Sequence, residues 1–538
     1  MIARSIALSL LLTLAVVDAR AAPALAAWPN NPARNLAVCT ATQYQAEVVA
    51  CSDGAGGMIV AWSDRRSGTA DVYAQRVSAT GALLWAADGV AVCNAPLDQS
   101  APAITSDGAG GAILAWQDGR SGFWDLYAQR IDGSGAALWD ANGVAVCTVA
   151  GDQTAPHLDS DGAHGAFVCW QDGRAGSEHE FGQWLDASGA ARWTANGLSL
   201  QSSLTAPLFV VGDGAGGAFF AWDGYAQHVL QNGSQQWGTG GYPIMNGPVQ
   251  AMVADDAGGF IVYGGQELQH ATSTGALPWT YAGIAIAVPA GSAIALACDS
   301  AGTAVLAWAQ NGDIDAARVG PARVTRWVAG VCSAPGAQGA PRVTRDGQGG
   351  TLLAWQDARD ATFDGNDLYA QRLSSTGAPL WAANGVAVSV APRDQDPPAL
   401  LPDGGGGVFA AWTDHRSDVG DVYAEWLNAS GVPGGSALAA PPPGGSNELA
   451  LSAPGPSPTR AGARMRLALP LAAPVRVSVS DAQGRRVRAW DAGVLAAGTH
   501  ELAWDGRDQA GRPVAPGVWL VSVEAAGQSR SGRIVVLR

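Results

Sequence analysis

The sequence contains no lysine, so all 31 of its basic residues are arginine. This absence excludes Schiff-base and general-base chemistry that depends on an amine side chain. Charged residues make up only 14% of the chain, and the 46 acidic residues give a net charge of −15. Because such an acidic surface repels phosphate backbones and anionic lipid head groups, we expect neither nucleic acid nor a membrane surface as a partner.

Long apolar runs are lacking everywhere except near the first residue. Residues 6–17 form an apolar run that follows Arg4 and is too short to span a bilayer, and Ala24-Leu25-Ala26 has the small-x-small pattern of a cleavage site. We predict a signal peptide at residues 1–26. The mature chain is expected to be exported to the periplasm, the cell surface or the medium, with no transmembrane span.

The most informative feature present is a tandem repeat. Its first three aromatic anchors are 54 residues apart, and the fifth unit is degenerate because tyrosine replaces tryptophan. Repeats of this length indicate units that bury their apolar faces against one another. The anchors are Trp62, Trp116, Trp170, Trp222, Tyr263, Trp308, Trp355 and Trp412.

Each unit is predicted to form four short strands. In the second unit these are residues 102–107, 112–117, 125–131 and 143–147, separated by glycine-rich turns. Four strands in about fifty residues, without helical periodicity, are typical of a β-propeller. We predict an all-β fold with an eight-bladed propeller at residues 27–430, with seven blades as the alternative. The last unit lacks a fourth strand, and residues 35–39 carry an extra copy of it, so the N-terminal strand is expected to close the ring.

A second domain follows the repeats. Residues 431–446 are rich in glycine, proline and alanine, as in a linker. Residues 447–538 contain about seven short alternating segments, which predict a β-sandwich.

The segment from Gly498 to Trp519, with Trp504-Asp505-Gly506 and Pro516-Gly517 inside it, resembles the immunoglobulin-like domain of the flagellar hook-capping protein. It is also similar to the C-terminal sorting domains of proteins exported by the type IX secretion system. The resemblance implies a non-catalytic module for export or surface attachment. The repeat unit itself looks like repeats of exported bacterial proteins of unassigned activity.

An aspartate and an arginine recur two residues apart after the second strand of five units. Because a catalytic acid is needed once rather than five times, we predict that these pairs fix the loops. A second aspartate follows seven residues later in three of the units, so calcium is an alternative ligand of this region, best at Asp364, Asn366 and Asp367. No other cofactor is expected. The pairs are Asp64 and Arg66, Asp118 and Arg120, Asp172 and Arg174, Asp357 and Arg359, and Asp414 and Arg416.

The sequence offers one candidate acid/base group. Glu178, His179 and Glu180 lie together in a predicted irregular loop of the third unit. A solvated loop is the simpler interpretation, and no nucleophile motif or metal-ligand spacing accompanies the three residues. We therefore predict a surface-associated or secreted binding or adhesion protein with a protein or carbohydrate ligand. The alternative is a propeller-type glycan hydrolase, which requires two carboxylates about 5 to 10 Å apart.

Overall fold

The computed structural model describes residues 28–434, with gaps at 175, 177–178, 203–206, 282, 300–301, 323, 360–364 and 418. It also describes residues 450–536, with gaps at 452–462, 470–472, 482–484, 496–497 and 526–527. The predicted signal peptide at residues 1–26 and the predicted linker residues from 435 to 446 lie outside these ranges. The chain divides into two compact units, Met1–Ala439 and Ala440–Arg538.

Strands are the only regular secondary structure among the described residues of the first unit, and they form eight four-stranded antiparallel sheets. The sheets are numbered here in the order in which their aromatic anchors occur along the chain. Sheet 1 contains β2 (Gln45–Ser52), β3 (Met58–Asp64), β4 (Asp71–Val77) and β5 (Val90–Cys93). Sheet 2 contains β6 (Gln99–Ser106), β7 (Ala112–Asp118), β8 (Asp125–Ile131) and β9 (Val144–Cys147). Sheet 3 contains β10 (Gln153–Ser160), β11 (Ala166–Asp172), β12 (His179–Leu185) and β13 (Leu198–Ser202).

The next three sheets include the most irregular part of the repeat, where outer strands vary from two to nine residues. Sheet 4 contains β14 (Phe209–Gly212), β15 (Ala218–Trp222), β16 (Tyr225–Val229) and β17 (Tyr242–Pro243). Sheet 5 contains β18 (Val249–Ala254), β19 (Phe260–Gly264), β20 (Glu267–Ala271) and β21 (Ile284–Ala285). Sheet 6 contains β22 (Ile294–Cys298), β23 (Ala304–Gln310), β24 (Asp313–Gly320) and β25 (Val324–Cys332).

The last two sheets return to the regular pattern, and the final one recruits a strand from the beginning of the chain. Sheet 7 contains β26 (Gln338–Arg345), β27 (Thr351–Asp357), β28 (Asp367–Leu373) and β29 (Val386–Ser389). Sheet 8 contains β30 (Ala399–Pro402), β31 (Val408–Asp414), β32 (Asp421–Leu427) and β1 (Leu36–Cys39). In this sheet β1 pairs antiparallel with β32, with Leu36 opposite Ala424. The first strands of consecutive sheets contact each other, and β30 contacts β2.

Core residues lie between neighbouring sheets, as the repeat predicts. The second strand of each sheet is apolar on both faces, and its anchor is fully or almost fully buried; Trp116, for example, is 0% exposed. Clusters of buried side chains combine residues of adjacent sheets, so that Ile59 of sheet 1 packs with Leu114 and Trp116 of sheet 2. Each sheet therefore depends on its neighbours for burial of its apolar faces.

One strand boundary differs from the prediction in a physically informative way. The first strand of the second unit begins at Gln99 rather than at Pro102. The ladder continues past the proline because its register shifts between Ser100 and Ala103, and Ala101 takes a positive φ of 50°. A bulge is one of the few places in which a strand accommodates proline.

The second unit contains two antiparallel sheets. One contains β33 (Ala450–Leu451), β34 (Ala463–Leu469) and β37 (Gly498–Trp504), and the other contains β35 (Ala473–Asp481), β36 (Arg486–Leu495), β38 (Gly517–Ala525) and β39 (Gln528–Val536). Residues of both sheets share one core, in which Leu467 and Trp504 lie with Val477 and Val521. Among the described residues, no helix is long and apolar enough to cross a membrane.

Candidate functional site

The recurring aspartate and arginine bind each other inside the fold. In sheet 1, Asp64 accepts hydrogen bonds from the Trp62 indole at 2.7 Å and from Arg66 Nε at 2.9 Å. The Arg66 guanidinium also lies over the Tyr73 ring, 3.9 Å from its centroid. We call this set of tryptophan, aspartate, arginine and aromatic ring an arginine latch. The corresponding contacts occur at Asp118 and Arg120, Asp172 and Arg174, Asp357 and Arg359, and Asp414 and Arg416.

Each latch also joins two sheets. Arg120 Nη2 donates to the Asn142 carbonyl of its own sheet at 2.9 Å and lies 3.3 Å from Cys93 Sγ of the preceding sheet. Arg174 repeats this arrangement with Asn196 and Cys147. The guanidinium therefore satisfies several acceptors at once, which is the geometry that favours arginine over lysine.

Burial and hydrogen bonding act in opposite directions on the pKa of two latch carboxylates, Asp64 and Asp172. Burial alone would raise the pKa of Asp64, but the hydrogen bonds from Arg66 and Trp62 outweigh it and hold the pKa below its usual value. The same balance lowers the pKa of Asp172. Such a carboxylate stays ionised at neutral pH and is fully engaged by its neighbours, so it is poorly suited to proton transfer.

The second aspartates have a different environment. Asp71 accepts a hydrogen bond from Ser67 Oγ at 2.7 Å, and burial raises its pKa despite that bond. Burial likewise raises the pKa of Asp421, which accepts from Ser417 Oγ at 2.5 Å. The guanidinium of the same latch already pairs with the first aspartate, so a cation bound between the two aspartates would compete with it.

The predicted calcium site is only partly described, because Asp364 lies outside the described residues. Asn366 donates from its backbone and side-chain nitrogens to Asp394 Oδ1, at 2.8 and 3.2 Å. Asp367 begins β28 and pairs with Asp357. Within the described ranges, no group of three or more histidine, cysteine, aspartate and glutamate side chains could hold a metal ion.

Two of the three acid/base candidates lie in a strand rather than in the predicted loop. Glu178 lies outside the described residues, and His179 and Glu180 begin strand β12, so the loop prediction is wrong for these two. The backbone ladder continues because it does not depend on side-chain identity, and it pairs His179 with Asp172. Since alternate residues of a strand point to opposite faces, His179 and Glu180 diverge. Glu180 is 0% exposed.

A cleft lies between sheets 2 and 3, and one of its lining residues, Gln171, is the ladder partner of Glu180. Its volume is about 360 Å³, within the range of small-molecule sites. Phe123 lines it from the loop between β7 and β8, and Gln171 lines it from β11. The remaining lining residues are Gly151, Asp152, Thr154, Gly173 and Gly176. The sequence signal for this cleft is the pair Phe123-Trp124, which interrupts an otherwise small or polar loop.

Two tryptophans outside the regular anchor positions, whose rings could stack on a sugar, contact protein side chains instead. The Trp184 indole donates to Asp161 at 2.9 Å, and Trp237 packs against Phe219 with ring centroids 5.7 Å apart. All seven cysteines are free, and all but Cys298 are buried. A second cavity, beside Cys298, has a volume of about 10 Å³ and admits no more than a water molecule.

Comparisons with known proteins bear mainly on the C-terminal unit. Residues 457–529 match the family model of the FlgD Ig-like domain, which confirms the resemblance seen around Trp504. FlgD from P. aeruginosa is 30% identical over 13% of this chain and 54% of its own, with a TM-score of 0.12. The matched region thus spans about half the length of that FlgD chain.

Two solved structures resemble larger parts of the chain. PorZ, an essential bacterial surface component of the type IX secretion system of Porphyromonas gingivalis, is 14% identical over 90% of this chain and 74% of its own, with a TM-score of 0.24. A PL25 polysaccharide lyase, an ulvan lyase, is 10% identical over 73% of this chain and 96% of its own, with a TM-score of 0.41. No curated protein matches the sequence.

Proposed function

We propose that this chain is an exported, surface-associated or secreted binding or adhesion protein. Its platform is an eight-bladed β-propeller in which β1 completes the last blade and closes the ring. Its C-terminal immunoglobulin-like module serves sorting or attachment. The pairing of β1 with β32 and the contact between β30 and β2 support ring closure, and the match to the FlgD Ig-like domain supports the second module.

The binding function is inferred mainly from one observation: the recurring aspartates and arginines pair with one another and so are not available for catalysis. In all five arginine latches both aspartate oxygens accept from arginine, and the guanidinium covers an aromatic ring. Such residues stabilise loops and leave them to present other side chains. The ligand is a protein or a carbohydrate at the cell surface, with no nucleic acid involved.

A combined binding and hydrolysis screen on the mature chain tests this function. Glycans and polysaccharides are tested for retention and for release of reducing ends, with and without calcium, because the loop of Asp364, Asn366 and Asp367 is where we propose that calcium would act. We expect retention without turnover. Turnover that is lost when Glu178 or Glu180 is changed to glutamine would establish the glycan hydrolase instead. A lack of both retention and turnover for every glycan would favour a protein ligand.

A further inference from the structure

The cleft between sheets 2 and 3 has a fixed backbone. Asp152 Oδ1 accepts from the Trp124 backbone N–H at 3.0 Å, and the Asp152 carbonyl accepts from the Gly173 N–H at 2.7 Å. The N–H of Gln153 donates to the Trp124 carbonyl at 2.6 Å. One short segment therefore holds both walls of the cleft, so its shape exists before any ligand arrives.

The neighbouring space between sheets 1 and 2 has the same backbone arrangement with different side chains. There Asp98 accepts from the Ala70 N–H at 2.8 Å and from the Gly119 N–H, through its carbonyl, at 2.8 Å. Thr69 stands in the place of Phe123, and Leu97 stands in the place of Gly151. The backbone hydrogen bonds are therefore common to both spaces and belong to the repeat. Two features are particular to the cleft: the aromatic ring of Phe123 on one wall, and Gly151, which has no side chain, on the opposite wall.

The cleft presents the groups that a pyranose ring requires. The Phe123 side chain is 53% exposed although nothing in the repeat requires an aromatic residue there. An exposed ring offers an apolar face to the C–H groups of a sugar. Asp152 can accept hydrogen bonds from sugar hydroxyls, and the hydroxyl of Thr154 can donate or accept them.

We propose that this cleft binds an uncharged sugar residue of a polysaccharide, with Phe123 as the stacking platform and Asp152 as the main hydroxyl acceptor. The inference rests on the proposed binding function and names its ligand class. Acidic sugars are disfavoured because the Asp152 carboxylate lies in the cleft and the whole chain carries a net charge of −15.

The test measures binding of the mature full-length chain to dextran, galactan and mannan, with polygalacturonate and alginate as acidic counterparts. Phe123→Thr introduces the residue of the neighbouring space, and Phe123→Trp keeps an aromatic platform. Leu138→Ala is the control, because Leu138 is 48% exposed and lies in the loop between β8 and β9, outside the residues that line the cleft. We expect at least one neutral polysaccharide to bind, about tenfold weaker binding for Phe123→Thr, and wild-type binding for the other two variants.

The outcomes separate this inference from the proposed function. If the wild type and Phe123→Thr bind neutral polysaccharide equally well, the cleft is not the sugar-binding site, although the proposed binding function is unaffected. A preference for acidic polysaccharides, or binding to none of the five, would overturn the ligand class. Hydrolysis of a bound polysaccharide would instead overturn the proposed function. Circular dichroism of each variant establishes that the fold is retained.

Discussion

Replacing Glu425 with glutamine should remove a specific pH dependence from the stability of the first unit. Glu425 is 0% exposed, and its Oε1 accepts from the Trp426 backbone N–H at 3.0 Å while Oε2 accepts from Asn35 Nδ2 at 3.1 Å. Burial raises the pKa of Glu425 to about 8, and these two hydrogen bonds lower it only in part. In six other sheets the same position carries glutamine: Gln75, Gln129, Gln183, Gln227, Gln269 and Gln371.

The sign of the effect follows from where the proton is held. Between the ordinary value of 4.5 and a folded pKa of about 8, the native state keeps a proton on Glu425 that the unfolded chain has lost. Stability therefore falls as pH rises through this window. Since one pH unit corresponds to about 1.4 kcal/mol, the upper bound is about 5 kcal/mol, and relaxation around the carboxylate reduces it to about 2–4 kcal/mol.

Calorimetry of the mature chain from pH 5 to pH 9 measures this difference directly. The two proteins should be similar at pH 5, and Glu425→Gln should be the more stable at pH 9. Gln371→Glu is the matched reverse change, because Gln371 donates to the Ala382 carbonyl at 2.7 Å and accepts from Trp381 N–H at 3.0 Å. It should add a loss of stability with rising pH. If Glu425→Gln keeps the wild-type slope, Glu425 does not retain its proton in the native state and the reasoning fails.

Three further changes test the structural roles of repeated residues. Arg120→Lys should lower the free energy of unfolding in urea by about 1–3 kcal/mol, because lysine cannot make the paired hydrogen bonds to Asp118. An unchanged midpoint would show that the latch does not stabilise the fold. Cys93→Ser should be nearly neutral, since Ser389 occupies the equivalent place in sheet 7, and native thiols should resist labelling at pH 8 because burial raises the pKa of Cys93 to about 12; rapid native labelling would contradict this. Ala155→Gly should raise the free energy of unfolding by about 0.5–1 kcal/mol, because Ala155 has a φ of 51° that glycine adopts without strain. The thermal midpoint should rise accordingly, and a lower midpoint would contradict the inferred strain.

Local pattern was sufficient to predict strands, because it reflects burial and turn chemistry directly. The third strand of the second unit was predicted at residues 125–131 and is found at Asp125–Ile131. Residues 35–39 were predicted to supply the missing strand, and β1 pairs there with β32. The first-strand boundary was missed because the bulge at Ala101 allows the ladder to continue beyond a proline, and bulges leave little trace in apolar alternation.

Contacts between distant residues could not be predicted in the same way. The pairing of Asp64 with Arg66 follows from their spacing, but the approach of Arg66 to Cys39 depends on how two sheets pack. The placement of Glu425 beside Asn35 joins residues that are 390 positions apart. His179 and Glu180 were misplaced for the opposite reason, since a departure from the local motif suggested a loop although the backbone ladder was unbroken.

The repeats also indicate where function can change at little structural cost. Asp98 and Asp152 hold equivalent loops with the same backbone hydrogen bonds, so the side chains between those bonds are not needed for the loop conformation. Thr69 in one unit and Phe123 at the equivalent position of the next are therefore both compatible with the ladders on either side. By contrast, Arg120 is tied to acceptors in two sheets, and a change there disturbs both. In such a fold, binding residues should be sought where the side chain breaks the repeat but the backbone contacts keep it.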